Sequence, residues 1–174
     1  MKHDFMICAL TLLGLVSYAK AANLPPEVQA RHSADTSCDG SLTKDAKAYT
    51  LSDGVSLYLV PCYSNQTDAG ILVSSRGYFY TANPNGKPLV DEVLVLTFSE
   101  KSIQSAYIID GASFDPSSFT LSANNKFSRS LNCGTSSVSK ISLENGIPGI
   151  VTTEVRSKNI CDNSNTAWPL VFKQ

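Results

Sequence analysis

From Tyr49 onward, short runs of alternating apolar and polar residues are broken by turn residues, and this period of two commits the chain to strands. Val55, Leu57 and Leu59 share one face behind a turn at Ser52-Asp53-Gly54. Arg76 to Asn83 places Tyr78 and Tyr80 on one face and Phe79 on the other, and Asn83-Pro84-Asn85-Gly86-Lys87-Pro88 ends that strand. Val93-Leu94-Val95-Leu96 is apolar on both faces, which predicts a central strand covered on both sides. Ser99 to Ile109 fits either a short helix or another strand. Near the C-terminus, Ile141 and Leu143 share a face, Asn145-Gly146 follows, and Ile150 to Arg156 alternates again, which predicts a hairpin. Leu170 and Phe172 supply a last strand, with Pro169 favouring an edge. No long segment has a convincing 3.6-residue period, and no internal repeat occurs. The expected fold is mainly β: a single disulfide-stapled antiparallel sheet domain, a sandwich or partly open barrel, with room for one short helix.

The N-terminus has a different character. Phe5 to Val16 is an uncharged apolar run that follows Lys2 and leads to Ala19-Lys20-Ala21, the pattern of a secretory signal peptide cleaved between Ala21 and Ala22. The run is too short to cross a bilayer before Ser17, Tyr18 and Lys20 interrupt it, so no membrane insertion is expected after signal removal. Cys8 lies inside the apolar run, away from the position a lipoprotein would need. Asn23 to Asp35 contains Pro25-Pro26, mixed charges and little periodicity, which predicts a mobile leader up to Cys38. The expected division is residues 1–21 signal peptide, 22–48 extended leader and 49–174 β-rich domain.

Export accounts for the cysteines. Cys8 leaves with the signal, and Cys38, Cys62, Cys133 and Cys161 remain as an even set bound for an oxidising compartment, periplasmic or secreted. Four cysteines allow three pairings; proximity in the chain favours Cys38 with Cys62 and Cys133 with Cys161. A zinc site is disfavoured, since close C-x-x-C pairs are lacking and His32 is the sole mature histidine. Loss of Lys2, Lys20 and Asp4 with the signal takes the 14 basic and 15 acidic residues to 12 and 14, and the net charge from -1 to -2. The basic residues are scattered singly, so neither nucleic acid nor an anionic membrane is an expected partner. A chain of this size buries roughly two-thirds of its unfolded surface, enough for one core with no metal or other cofactor.

Several ordered motifs carry a resemblance. Leu51-Ser52-Asp53-Gly54 through Leu57-Tyr58-Leu59-Val60-Pro61-Cys62, Ser113-Phe114-Asp115-Pro116 with Thr120-Leu121-Ser122, Arg129-Ser130-Leu131-Asn132-Cys133-Gly134, and Cys161 with Trp168-Pro169 resemble a bacterial exported family, the domain-of-unknown-function family numbered 1176. The resemblance covers the chain from about Leu51 to Gln174. It departs where the family's Gly-Asp-Cys-Gly reads Leu131-Asn132-Cys133-Gly134, and where Val138-Ser139-Lys140 replaces a tryptophan-bearing strand. The family's second β-rich half, which precedes this one in longer members, has only a short leader in its place here. The resemblance implies a bacterial periplasmic setting and a Cys133–Cys161 pair, and it implies no catalytic residues.

Candidate chemistry is sparse. A hydrolytic triad needs a rigidly held histidine, and His32 lies in the expected leader. Asp91-Glu92, Asp110 and Asp115 are the acids available to a glycosidase, but Asp91 and Glu92 would point to opposite faces of a strand, and Asp110-Gly111 and Asp115-Pro116 read as turns. Asn65-Gln66-Thr67 fits a glycosylation sequon that a bacterial periplasm would leave unused. Tyr63, Tyr78 and Tyr80 are candidates for an aromatic binding surface, against cross-strand packing as the plainer role. The expected function is a non-catalytic module that binds another envelope protein, of inhibitor or immunity type. The alternatives are an envelope glycan- or peptide-acting hydrolase using carboxylates, or a structural envelope component.

Overall fold

The computed structural model describes residues 20–21, 23–83, 85–99 and 101–174. Its strands are β1 (Lys20–Ala21), β2 (Lys47–Ser52), β3 (Val55–Thr67), β4 (Gly70–Thr81), β5 (Leu89–Glu92), β6 (Val95–Ser99), β7 (Ser102–Ala106), β8 (Ile108–Asp110), β9 (Ser113–Asp115), β10 (Thr120–Lys126), β11 (Asn132–Glu144), β12 (Ile147–Asp162) and β13 (Leu170–Lys173). The first sheet runs β1-β2-β3-β4-β5, with β8 also pairing β4; the second runs β13-β12-β11-β10-β9. All pairings are antiparallel, and β6 and β7 form a separate hairpin. Most of the expected signal peptide, and Ala22, lie outside the described residues.

The two sheets form an open sandwich around one apolar layer. Alternation in β3 sends Val55, Leu57 and Leu59 inward, where they join Tyr49, Leu51 and Phe79 of the first sheet and Phe114, Leu121 and Ile141 of the second. Tyr49 and Phe114 meet edge to face with ring centroids 5.0 Å apart, one contact that joins the sheets. The predicted hairpin forms: Glu144 pairs with Ile147, and Asn145 and Gly146 take φ of 54° and 78°. Leu170 and Phe172 lie in β13, the edge strand of the second sheet.

Two sequence expectations need correction. The expected extended leader, residues 22–48, is folded over its described part, residues 23–48. Pro26–Ser33 is a helix, α1, with proline at its first position, Glu27 in its first turn and Arg31 and His32 in its last. A 3₁₀ turn at Gly40–Asp45 follows, opened by the Asp39 carboxylate, which accepts the Ser41 N–H at 2.9 Å. Val28, Ala46, Val60 and Tyr78 are buried together, so these segments cover the outer face of the first sheet. The Cys38–Cys62 disulfide ties the same segment to β3.

The second correction concerns Val93 to Leu96, which does not form a central strand. The chain leaves β5 and crosses β4 at Gly77: the Val93 N–H donates to the Gly77 carbonyl at 2.9 Å, and a Cβ at residue 77 would lie 2.7 Å from Val93 Cβ. Val93 and Val95 drop into the core while Leu94 faces solvent. The β6–β7 hairpin then lies against the second sheet, where Leu96 N–H donates to Thr152 Oγ1 at 2.9 Å and Thr152 also hydrogen-bonds Ser139. The stretch that fits either helix or strand forms strands, β7 at Ser102–Ala106 and β8 at Ile108–Asp110.

Candidate functional site

The second sheet has one face in the core and one face turned outward, and the outer face carries a groove. Antiparallel register sets Asn124, Ser136 and Arg156 side by side across β10, β11 and β12, with Leu170 of β13 beyond. The segment between β12 and β13 arches over this row and encloses about 490 Å3, bounded by Lys126, Asn132, Asp162 and Trp168 as well. The Cys133–Cys161 disulfide joins β11 to β12 at the groove's end.

Hydrogen bonds within the arch fix the groove's shape. Asn132 Nδ2 donates to the carbonyls of Ser164 and Thr166, both at 2.7 Å, while its Oδ1 accepts the Trp168 indole N–H at 2.6 Å. Asp162 Oδ1 accepts from Lys158 Nζ at 2.6 Å and from Ser164 Oγ at 2.7 Å, and these bonds hold its carboxyl down at about 2. Arg156 Nη1 donates to the Trp168 carbonyl at 2.9 Å. The Trp168 ring lies against Gly134, where a Cβ would come within 2.5 Å of Cη2.

On the other face of the same sheet, a second cavity of about 430 Å3 opens between the sheets beside the β6–β7 hairpin. Tyr63, Phe98, Ile108 and Phe127 form much of its wall, and Asp110 lies in it. Both Asp110 oxygens are engaged, Oδ1 by Ser74 Oγ at 2.6 Å and Oδ2 by Asn125 Nδ2 at 2.9 Å.

A charged cluster seats α1 on the first sheet. Arg76 pairs with Asp35 and, at 3.0 Å, with Glu92, which also accepts from Arg31 Nε at 2.7 Å. His32 is fully buried here, not a solvated leader residue. Burial, then the Arg76 charge, lowers its pKa, with Asp35 and the Pro61 carbonyl opposing. Burial pushes the Tyr78 hydroxyl up to about 12, so it stays protonated, and it shares a hydrogen bond of 3.1 Å with His32 Nδ1. Nε2 has no well-aligned partner, and no cavity opens onto the ring among the sites described.

The sequence candidates are therefore dispersed. Tyr78 is buried under α1, Tyr80 packs edge to face on Tyr58 on that same side, and Tyr63 lines the inter-sheet cavity, so the three do not form one binding surface. The acids also separate. Asp91 is exposed on β5, Glu92 belongs to the α1 cluster, and Asp115 caps its own turn through Ser117 and Ser118. Among the described residues, no three His, Cys, Asp or Glu side chains converge as a metal site, and no helix is long and apolar enough to cross a membrane. The cysteines pair as their proximity favours, and two disulfides indicate an oxidising, extracytoplasmic location. The Asn132–Trp168 groove is absent from the sequence candidates. Its parts were visible as the motifs Asn132-Cys133-Gly134 and Trp168-Pro169, but their meeting across the β11–β12 register was not. No protein-family model, curated protein or solved structure matches the chain.

Proposed function

We propose that this is an exported, non-catalytic binding module of a bacterial cell envelope, of inhibitor or immunity type, that holds a partner protein against the outer face of its second sheet. The signal peptide, the periplasmic setting and kinship with the family numbered 1176 belong to the same reading. The observation that carries it is the braced groove. Trp168 and Arg156, residue types enriched at binding hot spots, stand together in it, and exposed Val151 and Leu170 lie on neighbouring strands. Bracing by Asn132 and Asp162 means that little ordering would remain to be done on binding, which favours affinity. Asp91, Glu92, Asp110 and Asp115 stand apart, Glu92 in the α1 ion-pair cluster, Asp110 between Ser74 and Asn125, and Asp115 in its own turn, and this dispersal favours binding over a two-carboxylate mechanism.

The test uses oxidised protein, residues 22–174, as bait for periplasmic hydrolases, with activity as the readout. Stoichiometric capture with loss of hydrolase activity is expected. Leu170→Asp on the exposed edge strand, or Trp168→Ala in the groove, should weaken capture at least about tenfold, the scale of a hot-spot residue. Capture and inhibition unaffected by both substitutions would exclude this face, and a hydrolase whose activity persists in the complex would exclude inhibition.

A further inference from the structure

The β6–β7 hairpin ends in a two-residue turn whose second position is Lys101, with φ of 67°. The equivalent position is glycine in two other tight hairpins, Gly54 at 75° between β2 and β3 and Gly146 at 78° between β11 and β12. Glycine takes this left-handed backbone freely whereas lysine takes it only at a cost, so the choice of Lys101 points to a use for its side chain. Lys101 is exposed and lines the rim of the inter-sheet cavity.

Asp110 lines the same cavity, and its two hydrogen bonds come from neutral donors. A carboxylate offers about four acceptor positions, so Asp110 can take more. Among the described residues, neither Lys101 nor Asp110 forms an ion pair, with each other or with any other group. The cavity thus presents one cation and one anion, neither of which is ion-paired among the described residues. The wall also includes Tyr63, Phe98, Ile108 and Phe127, with Thr135 and Ser137 as hydroxyl-bearing residues that a polar backbone could meet. The charges are well separated, since Lys101 is at the hairpin tip and Asp110 lies past the far end of β7. Five paired residues at about 3.3 Å each set the hairpin near 16 Å. A lysine side chain folding back leaves a gap that two or three extended residues would fill, at about 3.4 Å each. The volume of about 430 Å3 lies in the range of small-ligand sites.

We infer that this cavity binds a short, unblocked peptide of two or three residues with an apolar side chain, its ammonium on Asp110 and its carboxylate on Lys101. The site lies across the second sheet from the outer groove and is independent of the protein-binding reading.

Calorimetric titration of the oxidised protein with Ala-Phe-Ala, its N-acetylated form and its C-terminal amide tests this. The free peptide should bind, and each blocked form should bind about tenfold more weakly, the equivalent of 1.4 kcal/mol. In Lys101→Gly, which relieves the strained turn and should melt no lower than the parent, the free peptide and the amide should bind equally. In Asp110→Asn, with folding confirmed by its melt, the free and acetylated peptides should bind equally. Equal affinity of all three peptides for the parent protein would overturn the inference, as would no heat at millimolar peptide or blocking ratios that survive both substitutions. Trp168→Ala should leave peptide affinity unchanged, so failure at one site is distinguishable from failure at the other.

Discussion

Gly134 is required by its neighbours as well as by its backbone, whose φ of 156° L side chains rarely adopt. A Cβ there would lie 2.5 Å from Trp168 Cη2 and 2.4 Å from the Asn125 carbonyl oxygen, and the carbonyl cannot move without breaking the β10–β11 ladder. Gly134→Ala should therefore displace the indole and lower stability by about 1–3 kcal/mol, the usual cost of overpacking. Because Trp168 is the only tryptophan, intrinsic fluorescence reads the groove directly, and a red shift with easier quenching is expected. Asn132 provides a second probe. Asn132→Asp keeps an acceptor for the indole N–H but loses both donors to the Ser164 and Thr166 carbonyls and sets oxygen against oxygen. Urea unfolding should show a loss of about 1–3 kcal/mol. A neutral result would mean that the arch does not depend on Asn132.

At the scale of elements, α1 rests on two side chains one turn apart, Val28 and His32, packed on β4. His32→Ala removes the buried ring and its hydrogen bond to the Tyr78 hydroxyl, so a loss of about 2–3 kcal/mol is expected in urea unfolding. Faster amide exchange in residues 26–33 than in the second sheet would locate the damage. This element also marks where the sequence stopped being legible. Strands announced themselves because alternation repeats over many residues: Val55, Leu57 and Leu59 against Tyr58 and Val60, Phe79 between Tyr78 and Tyr80. A helix of eight residues with two buried positions shows no comparable period, and Pro25-Pro26 read as extended chain although Pro26 starts the helix. Val93 to Leu96 misled for a related reason. Its apolar run is explained by a crossing over Gly77, a contact between residues 16 apart that no local pattern encodes. The groove was hidden in the same way, since Asn132 and Trp168 are 36 residues apart and meet only through strand register.

For the whole molecule, three layers and two staples determine how stability responds to redox state and pH. The disulfides span separations of 24 and 28 residues, each worth roughly 3.5 kcal/mol by loop entropy. Removing either pair should lower Tm by about 10 °C in calorimetry, and an unchanged Tm after confirmed reduction would remove them as staples. The pH response should come in two stages. His32 has a folded pKa below its ordinary 6.5, so the unfolded chain gains a proton that the folded one resists; stability is full above 6.5 and falls as pH drops toward the folded value. Carboxyls act lower on the scale. Asp115 and Asp162 are held at about 2, against an ordinary 3.8, by Ser118 and Ser117 and by Lys158 and Ser164, and Asp35 is lowered by Ser37. The contribution of Asp115 and Asp162 is complete above 3.8 and is lost as pH falls through about 2, and that of Asp35 is lost in the same direction. A melting profile from pH 8 to pH 2 should thus decline once below 6.5 and again below 4, with His32→Ala losing only the first decline. A parent profile flat down to pH 4 would mean that His32 takes up its proton without leaving the fold, and that α1 is not held by a buried neutral imidazole.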